Sequence, residues 1–262
     1  MPTVDLNSDC GESFGAWTHG ADEEVLSHVT SANIACGFHA GDPGVMRRTV
    51  RLALQHGLAL GAHPGFPDLA GFGRRNIEMS PQDAYDLVVY QIGALAGIAA
   101  TQGATLHHVK PHGALYNLAA TREPLAAAIA RAVRDVEPRL VLYALAGSAL
   151  VTAARDAGLA VAEEVFADRR YAPQGTLLPR SEQGAVIESS AEAVRQAVRM
   201  VRDGVVTAID GSEVKVRADT ICIHGDTPGA AEHARQLRAA LAGAGIEVAA
   251  PAGRRGDARG AR

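Results

Sequence analysis

Seven apolar, strand-like runs in this chain each end in a cluster of polar residues, and most are followed by a helical stretch rich in Ala, Leu and Val. The clusters are DLNSDCGE (5–12), NIACGFHAGD (33–42), GAHPGFPD (61–68), HHVKPHGALYN (107–117), YALAGS (143–148), EEVFADRRY (163–171) and ICIHGD (221–226). Strand, polar tip and helix, repeated around a closed sheet, form a β/α barrel, whose active site lies at the carboxyl ends of its strands. Seven repeats favour an α/β fold with a seven-stranded, TIM-barrel-like (β/α) barrel, although an open doubly wound sheet has the same alternation.

The length of 262 residues suits one barrel domain, which we expect over residues 1–250. Residues 251–262 are rich in Gly and Arg and lack large apolar side chains, which is typical of a disordered tail. A net charge of −4 provides no basic surface for nucleic acid. The sequence has no run of about 18 apolar residues, so no membrane span is predicted. The N-terminus does not resemble a secretory signal. Three cysteines without metal-ligand spacing argue against a disulfide framework, so we expect a cytoplasmic protein.

Proline, serine and glycine mark where the helices begin and end. Asp42-Pro43 predicts the start of a helix that ends near Gly57, and Ser80-Pro81 predicts the start of a longer helix that ends near Gly103. Further helices are expected near residues 22–29, 122–136, 147–157, 189–203 and 228–242.

The alternation of side chains along the first strand places Asp5, Asn7 and Asp9 on one face. Carboxylates that point into a barrel are costly unless they are paired or bind a cation. We therefore expect this face to belong to a functional site.

Three other strands carry polar side chains toward the same mouth. His108, Lys110 and His112 share a face of the fourth strand if that strand is regular through Pro111. The last strand would present Cys222, His224 and Asp226, and single histidines, His39 and His63, lie at the tips of the second and third strands. If the strands are parallel, these groups converge.

Lys110 is informative because the chain has 25 basic residues and only two of them are lysines, Lys110 and Lys215. An ammonium group is a compact charge that can lose its proton or bind a phosphate, and a planar guanidinium does not replace it. Lys215 lies between a turn and a strand and is expected to be exposed, whereas Lys110 lies in a polar tip. A site role is favoured for Lys110.

Metal and anion binding are both compatible with these residues. Asp9 with two of the histidines His39, His63, His112 and His224 would form a ligand set for Zn²⁺ or another transition ion, although no local motif such as HExxH is present. The sequence contains no GxxxxGK[ST] phosphate loop. Anions would bind either to arginines such as Arg74, Arg75, Arg169 and Arg170 or to the N-terminus of the helix after Thr227. The cysteines are expected to pack as small apolar residues.

Seven blocks of sequence together resemble a known family: DLNSDCGESFG (5–15), SANIACGFHAGDP (31–43), GAHPGFPDLAGFGRR (61–75), VKPHGALYN (109–117), EVFADRRY (164–171), GTLLPR (175–180) and IHGDTPGA (223–230). In this order they resemble the family of 5-oxoprolinase A subunits, also called the LamB/YcsF family. The resemblance implies a barrel related to the glycoside hydrolase and polysaccharide-deacetylase architecture. It also implies partner subunits B and C, and the opening of 5-oxo-L-proline to L-glutamate coupled to hydrolysis of ATP to ADP and phosphate.

This implied chemistry suggests roles for the residues at the strand tips. ATP with Mg²⁺ would act as co-substrate, and a resident transition metal is left open, with Asp9, His39 and His63 as its ligands. The expected catalytic residues are Asp9, Lys110, His112, His224 and Asp226. The residues expected to bind substrate or ATP are Glu12, His39, His63, Arg74, Asp168, Arg170 and Arg180.

Two other functions fit the same sequence. The first is a stand-alone, metal-dependent hydrolase of amide or acetyl groups, which the histidines and carboxylates favour. The second is a non-catalytic scaffold subunit, which the lack of a phosphate loop favours. Seven polar strand tips argue against a scaffold, which has no need of so many costly inward-facing groups.

Overall fold

The structure, a computed structural model, describes residues 1–179, 182–223 and 229–253. Its strands are β1 (Thr3–Cys10), β2 (Ser31–Ala35), β3 (Ala59–His63), β4 (His108–Val109), β5 (Val141–Leu145), β6 (Ala160–Phe166), β7 (Val205–Thr207), β8 (Glu213–Lys215), β9 (Thr220–Ile223) and β10 (Glu247–Val248). Its α-helices are α1 (Asp22–Leu26), α2 (Pro43–Gln55), α3 (Pro81–Ala100), α4 (Gly113–Ala119), α5 (Glu123–Val136), α6 (Ala149–Asp156), α7 (Ser190–Asp203) and α8 (Ala230–Gly243).

Seven parallel strands close into a barrel in the order β1-β2-β3-β4-β5-β6-β9, because β9 pairs with both β6 and β1. The short β10 pairs with the first residues of β1, and β7 and β8 form a separate antiparallel pair. The predicted seven-stranded barrel is confirmed, and the β1–β9 pairing excludes an open sheet.

The helices cover the outside of the barrel through apolar faces that the sequence pattern predicts. Asp42 accepts a hydrogen bond from the backbone N–H of Val45 (2.8 Å), and Ser80 accepts one from that of Asp83 (3.1 Å). These are N-cap interactions, which satisfy backbone donors that the first turn of a helix leaves unpaired. The expected starts of α2 and α3 are confirmed.

The segment after β4 differs from the sequence prediction. The polar run over residues 107–117 is not one strand tip, because the helix α4 begins at Gly113. Gly113 has a φ of 54°, and a Cβ there would lie 2.6 Å from the carbonyl oxygen of Gly73, so only glycine allows this close turn. Strand-like alternation nevertheless continues beyond β4, since the N–H groups of Lys110 and His112 donate to the carbonyls of Ala62 (2.9 Å) and Pro64 (2.8 Å).

Several sequence predictions concern residues outside the described ranges. These are Arg180, His224 and Asp226 and most of the predicted tail, residues 254–262. Within the described ranges, every helix is too short or too polar to span a lipid bilayer.

Candidate functional site

A cavity of about 510 Å³ opens at the carboxyl ends of the barrel strands, which is a typical size for a small-molecule site. Six of the sequence-predicted residues line it: Asp9, His63, Arg74, Lys110, His112 and Arg169. Phe166, Leu177 and Leu178 add apolar surface on another side. The cavity therefore combines a charged floor with a partly apolar wall.

Below the cavity, the inward face of β1 begins with Asp5, which is fully buried. Its carboxylate accepts hydrogen bonds from the hydroxyls of Thr30 (2.6 Å), Ser31 (2.7 Å) and Thr220 (2.6 Å). Burial raises the pKa of Asp5, although these three hydroxyls act in the opposite direction. Asp5 thus supports the base of the site without lining the cavity.

Asn7 and Asn33 form the next layer of the barrel interior. The side-chain NH₂ of Asn33 donates to Asn7 Oδ1 (2.7 Å) and to Asp9 Oδ1 (2.8 Å). His108, also fully buried, pairs with Asn33 Oδ1 through its Nε2 at 2.7 Å. His108 therefore holds the side-chain amide of Asn33, which in turn contacts Asp9.

Lys110 is the buried cation of the site, with 3% of its surface exposed. Its Nζ lies 2.9 Å from Asp9 Oδ1 and 2.9 Å from Glu164 Oε1, and it also contacts Asn7 Oδ1 at 3.1 Å. Burial alone would lower the pKa of Lys110, but the neighbouring carboxylates of Asp9 and Glu164 raise this pKa well above its ordinary value. Lys110 is therefore an ammonium ion in the resting site.

Cys222 contacts the buried cation of the site, on the inward face where the alternation of the last strand placed it. Its Sγ is 3.0 Å from Lys110 Nζ, although the thiol was expected only to pack. Burial raises the pKa of Cys222 well above its usual value, which outweighs the opposite effect of Lys110. The group is a thiol that accepts a hydrogen bond. Cys10 and Cys36 are buried and free, as expected.

Glu164 is a site residue that sequence reasoning did not single out. Besides Lys110, its carboxylate accepts hydrogen bonds from Asn7 Nδ2 (2.9 Å) and from the hydroxyl of Tyr116 (2.6 Å). The neighbouring Glu163 faces the other way and pairs with Arg155. Alternation along β6 places one of two adjacent glutamates inside the barrel, so the signal was present in the sequence.

Three histidines and Glu12 form a second cluster beside Lys110. His63 Nε2 lies 3.0 Å from His112 Nδ1, and the ring of His39 stacks on that of His112 with centroids 3.7 Å apart. Glu12 Oε1 is 3.6 Å from His39 Nε2 and 3.7 Å from His112 Nδ1. One ligand atom from each of the four residues lies within 4.8 Å of all the others.

The rings of His39 and His112 are neutral. Burial, followed by the neighbouring His63, lowers the pKa of His112 to about 3. Burial also lowers the pKa of His39 well below its ordinary value. The cluster therefore offers uncharged nitrogen atoms of the kind that bind transition metals.

Residues 4–255 match the sequence pattern of the LamB/YcsF family. The chain belongs to this family. It is 62% identical over 249 residues to the A subunit of 5-oxoprolinase from Bordetella pertussis, covering 95% of this chain and 99% of that protein. The protein of the same name from Brevibacillus brevis is 59% identical over 250 residues, which cover 95% and 98% of the two chains. The crystal structure of the lactam utilization protein from Thermus thermophilus superposes with a TM-score of 0.90 at 53% identity, covering 95% and 100% of the two chains.

In this LamB/YcsF chain, two of the three metal ligands predicted from the sequence belong to the cluster of four residues. His39 and His63 belong to the cluster, together with Glu12 and His112. Asp9 lies at its edge, with Oδ2 3.3 Å from His63 Nε2, while its other oxygen is bound by Lys110 and Asn33. His112 was expected to act as an acid or base, yet both of its ring nitrogens have partners.

The arginines of the LamB/YcsF chain are placed differently from expectation. Arg74 lies at the rim of the cavity, 5.0 Å above the ring of Phe72. Arg170 pairs with Glu192 of α7 at 2.9 Å, and neither it nor Asp168 lines the described part of the cavity. Arg169 does line it, and its guanidinium donates to the carbonyl of Leu178. Adjacent arginines in a loop have no fixed alternation, so sequence alone did not distinguish them. Arg180, His224 and Asp226 fall outside the described residues.

Proposed function

We propose that this chain is the A subunit of an ATP-dependent 5-oxoprolinase, which converts 5-oxo-L-proline to L-glutamate. The observation that carries the proposal is the buried Lys110–Asp9 pair at the floor of a small cavity, in a chain about 60% identical to proteins named as A subunits of 5-oxoprolinase. The cavity is large enough for a five-membered lactam. Its rim carries arginines that suit the carboxylate of this substrate.

The chemistry explains why ATP would be needed. A five-membered lactam is an unreactive amide, and transfer of the γ-phosphoryl group of ATP to its carbonyl oxygen makes the carbonyl carbon electrophilic. Addition of water to that carbon and cleavage of the C–N bond then give γ-glutamyl phosphate and a free amine. A second water hydrolyses the acyl phosphate to L-glutamate and phosphate.

The geometry suggests which residues serve these steps. Lys110 would stabilise negative charge that develops on the carbonyl or phosphoryl oxygens. Asp9 lines the cavity and binds Lys110 through Oδ1, so its other oxygen, Oδ2, would accept a proton from the attacking water. Arg74 and Arg169 would bind the substrate carboxylate or the transferred phosphoryl group.

Partner subunits B and C complete the proposed enzyme. The sequence has no phosphate loop, and the cavity of this chain is small for a lactam together with a nucleotide. We therefore expect the partners to supply much of the Mg²⁺–ATP site.

The deciding experiment measures L-glutamate and ADP released from 5-oxo-L-proline and Mg²⁺–ATP, with this chain alone, with subunits B and C alone, and with all three. Coupled release that requires all three supports the proposal. Full activity of B and C without this chain would instead indicate a scaffold. No release in the complete mixture would overturn the proposal.

A stand-alone, metal-dependent hydrolase of amide or acetyl groups is the second candidate. The cluster of Glu12, His39, His63 and His112 beside the cavity favours it. Such an enzyme would hydrolyse small amides without ATP and would lose this activity to a chelator. The same assay, with ATP omitted, separates the two functions.

A further inference from the structure

The backbone determines which ring nitrogens of His63 and His112 carry protons. His63 Nδ1 lies 2.7 Å from the carbonyl oxygen of Lys110, and His112 Nε2 lies 2.8 Å from that of Phe72. A carbonyl oxygen only accepts hydrogen bonds, so both of these nitrogens must donate. In neutral rings the other two nitrogens, His63 Nε2 and His112 Nδ1, then present lone pairs to each other.

These two nitrogen atoms are 3.0 Å apart, which is the distance of a hydrogen bond. Two acceptors at this distance repel each other unless a positive charge lies between or beside them. The charge can be a shared proton or a metal ion. The surroundings distinguish these two cases.

His39 is the residue that favours a metal. Its side chain is completely buried, and neither ring nitrogen has a hydrogen-bond partner within the described residues. A proton shared by His63 and His112 would leave His39 unsatisfied, which is costly for a buried imidazole. A metal ion bound at His39 Nε2 would give that nitrogen a partner and would also lie between the lone pairs of His63 and His112.

Four ligand atoms have six separations, all within 4.8 Å, and three of them are close to those around a tetrahedral ion. Metal–nitrogen and metal–oxygen bonds of about 2.0–2.2 Å place neighbouring ligand atoms about 3.4 Å apart. These three separations are 3.0 Å between His63 and His112, 3.6 Å between His39 and Glu12, and 3.7 Å between His112 and Glu12. The rings of His39 and His112 are stacked, and a nitrogen lone pair lies in the plane of its ring, so one of these rings must rotate when both bind the same ion. The backbone carbonyl oxygens accept hydrogen bonds from the ring nitrogens of His63 and His112 that would not bind the ion. Hydrogen bonds of this kind orient metal-binding histidines.

We propose that Glu12, His39, His63 and His112 bind a divalent transition-metal ion of the Zn²⁺ type. His63 and His112 also line the cavity, so the ion would lie at its edge, next to Asp9. If the chain is the oxoprolinase subunit proposed above, such an ion would polarise the lactam carbonyl or a bound water. This role rests on the proposed function. The binding site itself does not depend on that function.

The test is direct metal binding by the purified full-length chain, without any turnover assay. After treatment with a chelator, the protein is titrated with Co²⁺, whose visible absorption reports tetrahedral coordination, and Zn²⁺ is then added as a competitor. We expect one equivalent of Co²⁺, its displacement by Zn²⁺, and at least a tenfold loss of affinity in His39→Gln and His63→Gln. His107→Gln is the matched control, because His107 bonds to the carbonyl of Pro251 and lies outside the cluster.

Circular dichroism shows whether each variant is folded. Wild-type protein that is folded but binds neither Co²⁺ nor Zn²⁺ at micromolar concentration would overturn the proposal and leave a shared proton as the charge between the rings. Unchanged affinity in a folded His39→Gln variant would also overturn it. Because binding is read without substrate, failure of the oxoprolinase assay does not affect the result.

Discussion

Lys110 Nζ lies 2.9 Å from Asp9 Oδ1 at the floor of the cavity, and Glu164 holds the same ammonium from the other side. Replacing Lys110 by Met leaves two carboxylates without their buried counter-charge. Removing one partner of a buried ion pair typically costs about 3–5 kcal/mol of stability. We expect Lys110→Met to abolish 5-oxoprolinase turnover and to lower the free energy of unfolding by this amount, measured by urea denaturation.

The control for this variant is Lys215→Met, which changes the other lysine of the chain at an exposed position of β8. It should change neither activity nor stability. Near-normal turnover by Lys110→Met in the complete complex would contradict the catalytic assignment.

Tyr116 donates a 2.6 Å hydrogen bond to Glu164, so the hydroxyl supports the carboxylate that holds Lys110. A hydrogen bond to a charged group contributes about 1.5–3 kcal/mol. We expect Tyr116→Phe to lower the free energy of unfolding by this amount. Tyr85→Phe removes a solvent-exposed hydrogen bond of 3.2 Å to Asp135 and should leave stability unchanged. Equal effects in the two variants would show that Glu164 does not need this donor.

The inward-facing residues of β1 were predictable because side-chain alternation in a strand is a local property. The same alternation predicted the convergence of Lys110 and His112, and it survived even though β4 ends at Val109. Glu164 could have been predicted from its position in β6, but two adjacent glutamates fit an exposed edge equally well. Local patterns were sufficient for the barrel and for much of its inward face.

The arrangement of the histidine rings was not predictable from sequence. It depends on the carbonyl of Phe72, which the 3-10 turn Leu69–Gly71 brings to His112 from 40 residues away. Phe72 has a φ of 54°, a left-handed conformation that no local pattern indicates for a bulky residue. Contacts between distant loops determine which atoms come together, and the periodicity of the sequence carries no information about such contacts.

Gly61 in β3 allows His108 to approach the barrel wall. A Cβ at this position would lie 2.0 Å from His108 Nε2, so an alanine must displace the ring that bonds to Asn33. We expect Gly61→Ala to destabilise the protein by about 1–3 kcal/mol through overpacking. Gly93→Ala, at an open and exposed position inside α3, should instead stabilise it by about 0.5–1 kcal/mol. Thermal unfolding measures both, and shifts of the same sign would contradict this interpretation.

Asp5 should make stability depend on pH with a defined sign. Burial raises its pKa in the folded protein, so the folded protein binds this proton more tightly than the unfolded chain, whose Asp pKa is about 3.9. The contribution of Asp5 to the free energy of unfolding must therefore fall as the pH rises through these two values. Tyr143, a titratable group that interacts with Asp5, has a raised pKa and stays neutral in this range.

The measurement is urea denaturation of wild type and Asp5→Asn between pH 4 and pH 7. The stability of the wild type relative to Asp5→Asn should decline with rising pH, because only the wild type must release this proton. Parallel curves for the two proteins would mean that Asp5 is ionised in the folded state throughout.

Arg169 and Arg170 provide a matched pair for testing the cavity, since only Arg169 lines it and Arg170 pairs with Glu192. A guanidinium binds a carboxylate through two parallel hydrogen bonds, and a lysine keeps the charge but loses this geometry. We expect Arg169→Lys to raise the KM for 5-oxo-L-proline about tenfold or more, with a smaller change in kcat, because one charged hydrogen bond contributes about 1.5–3 kcal/mol. Arg170→Lys should leave both constants near those of the wild type. A larger effect of Arg170→Lys would place the substrate carboxylate on the α7 side of this loop.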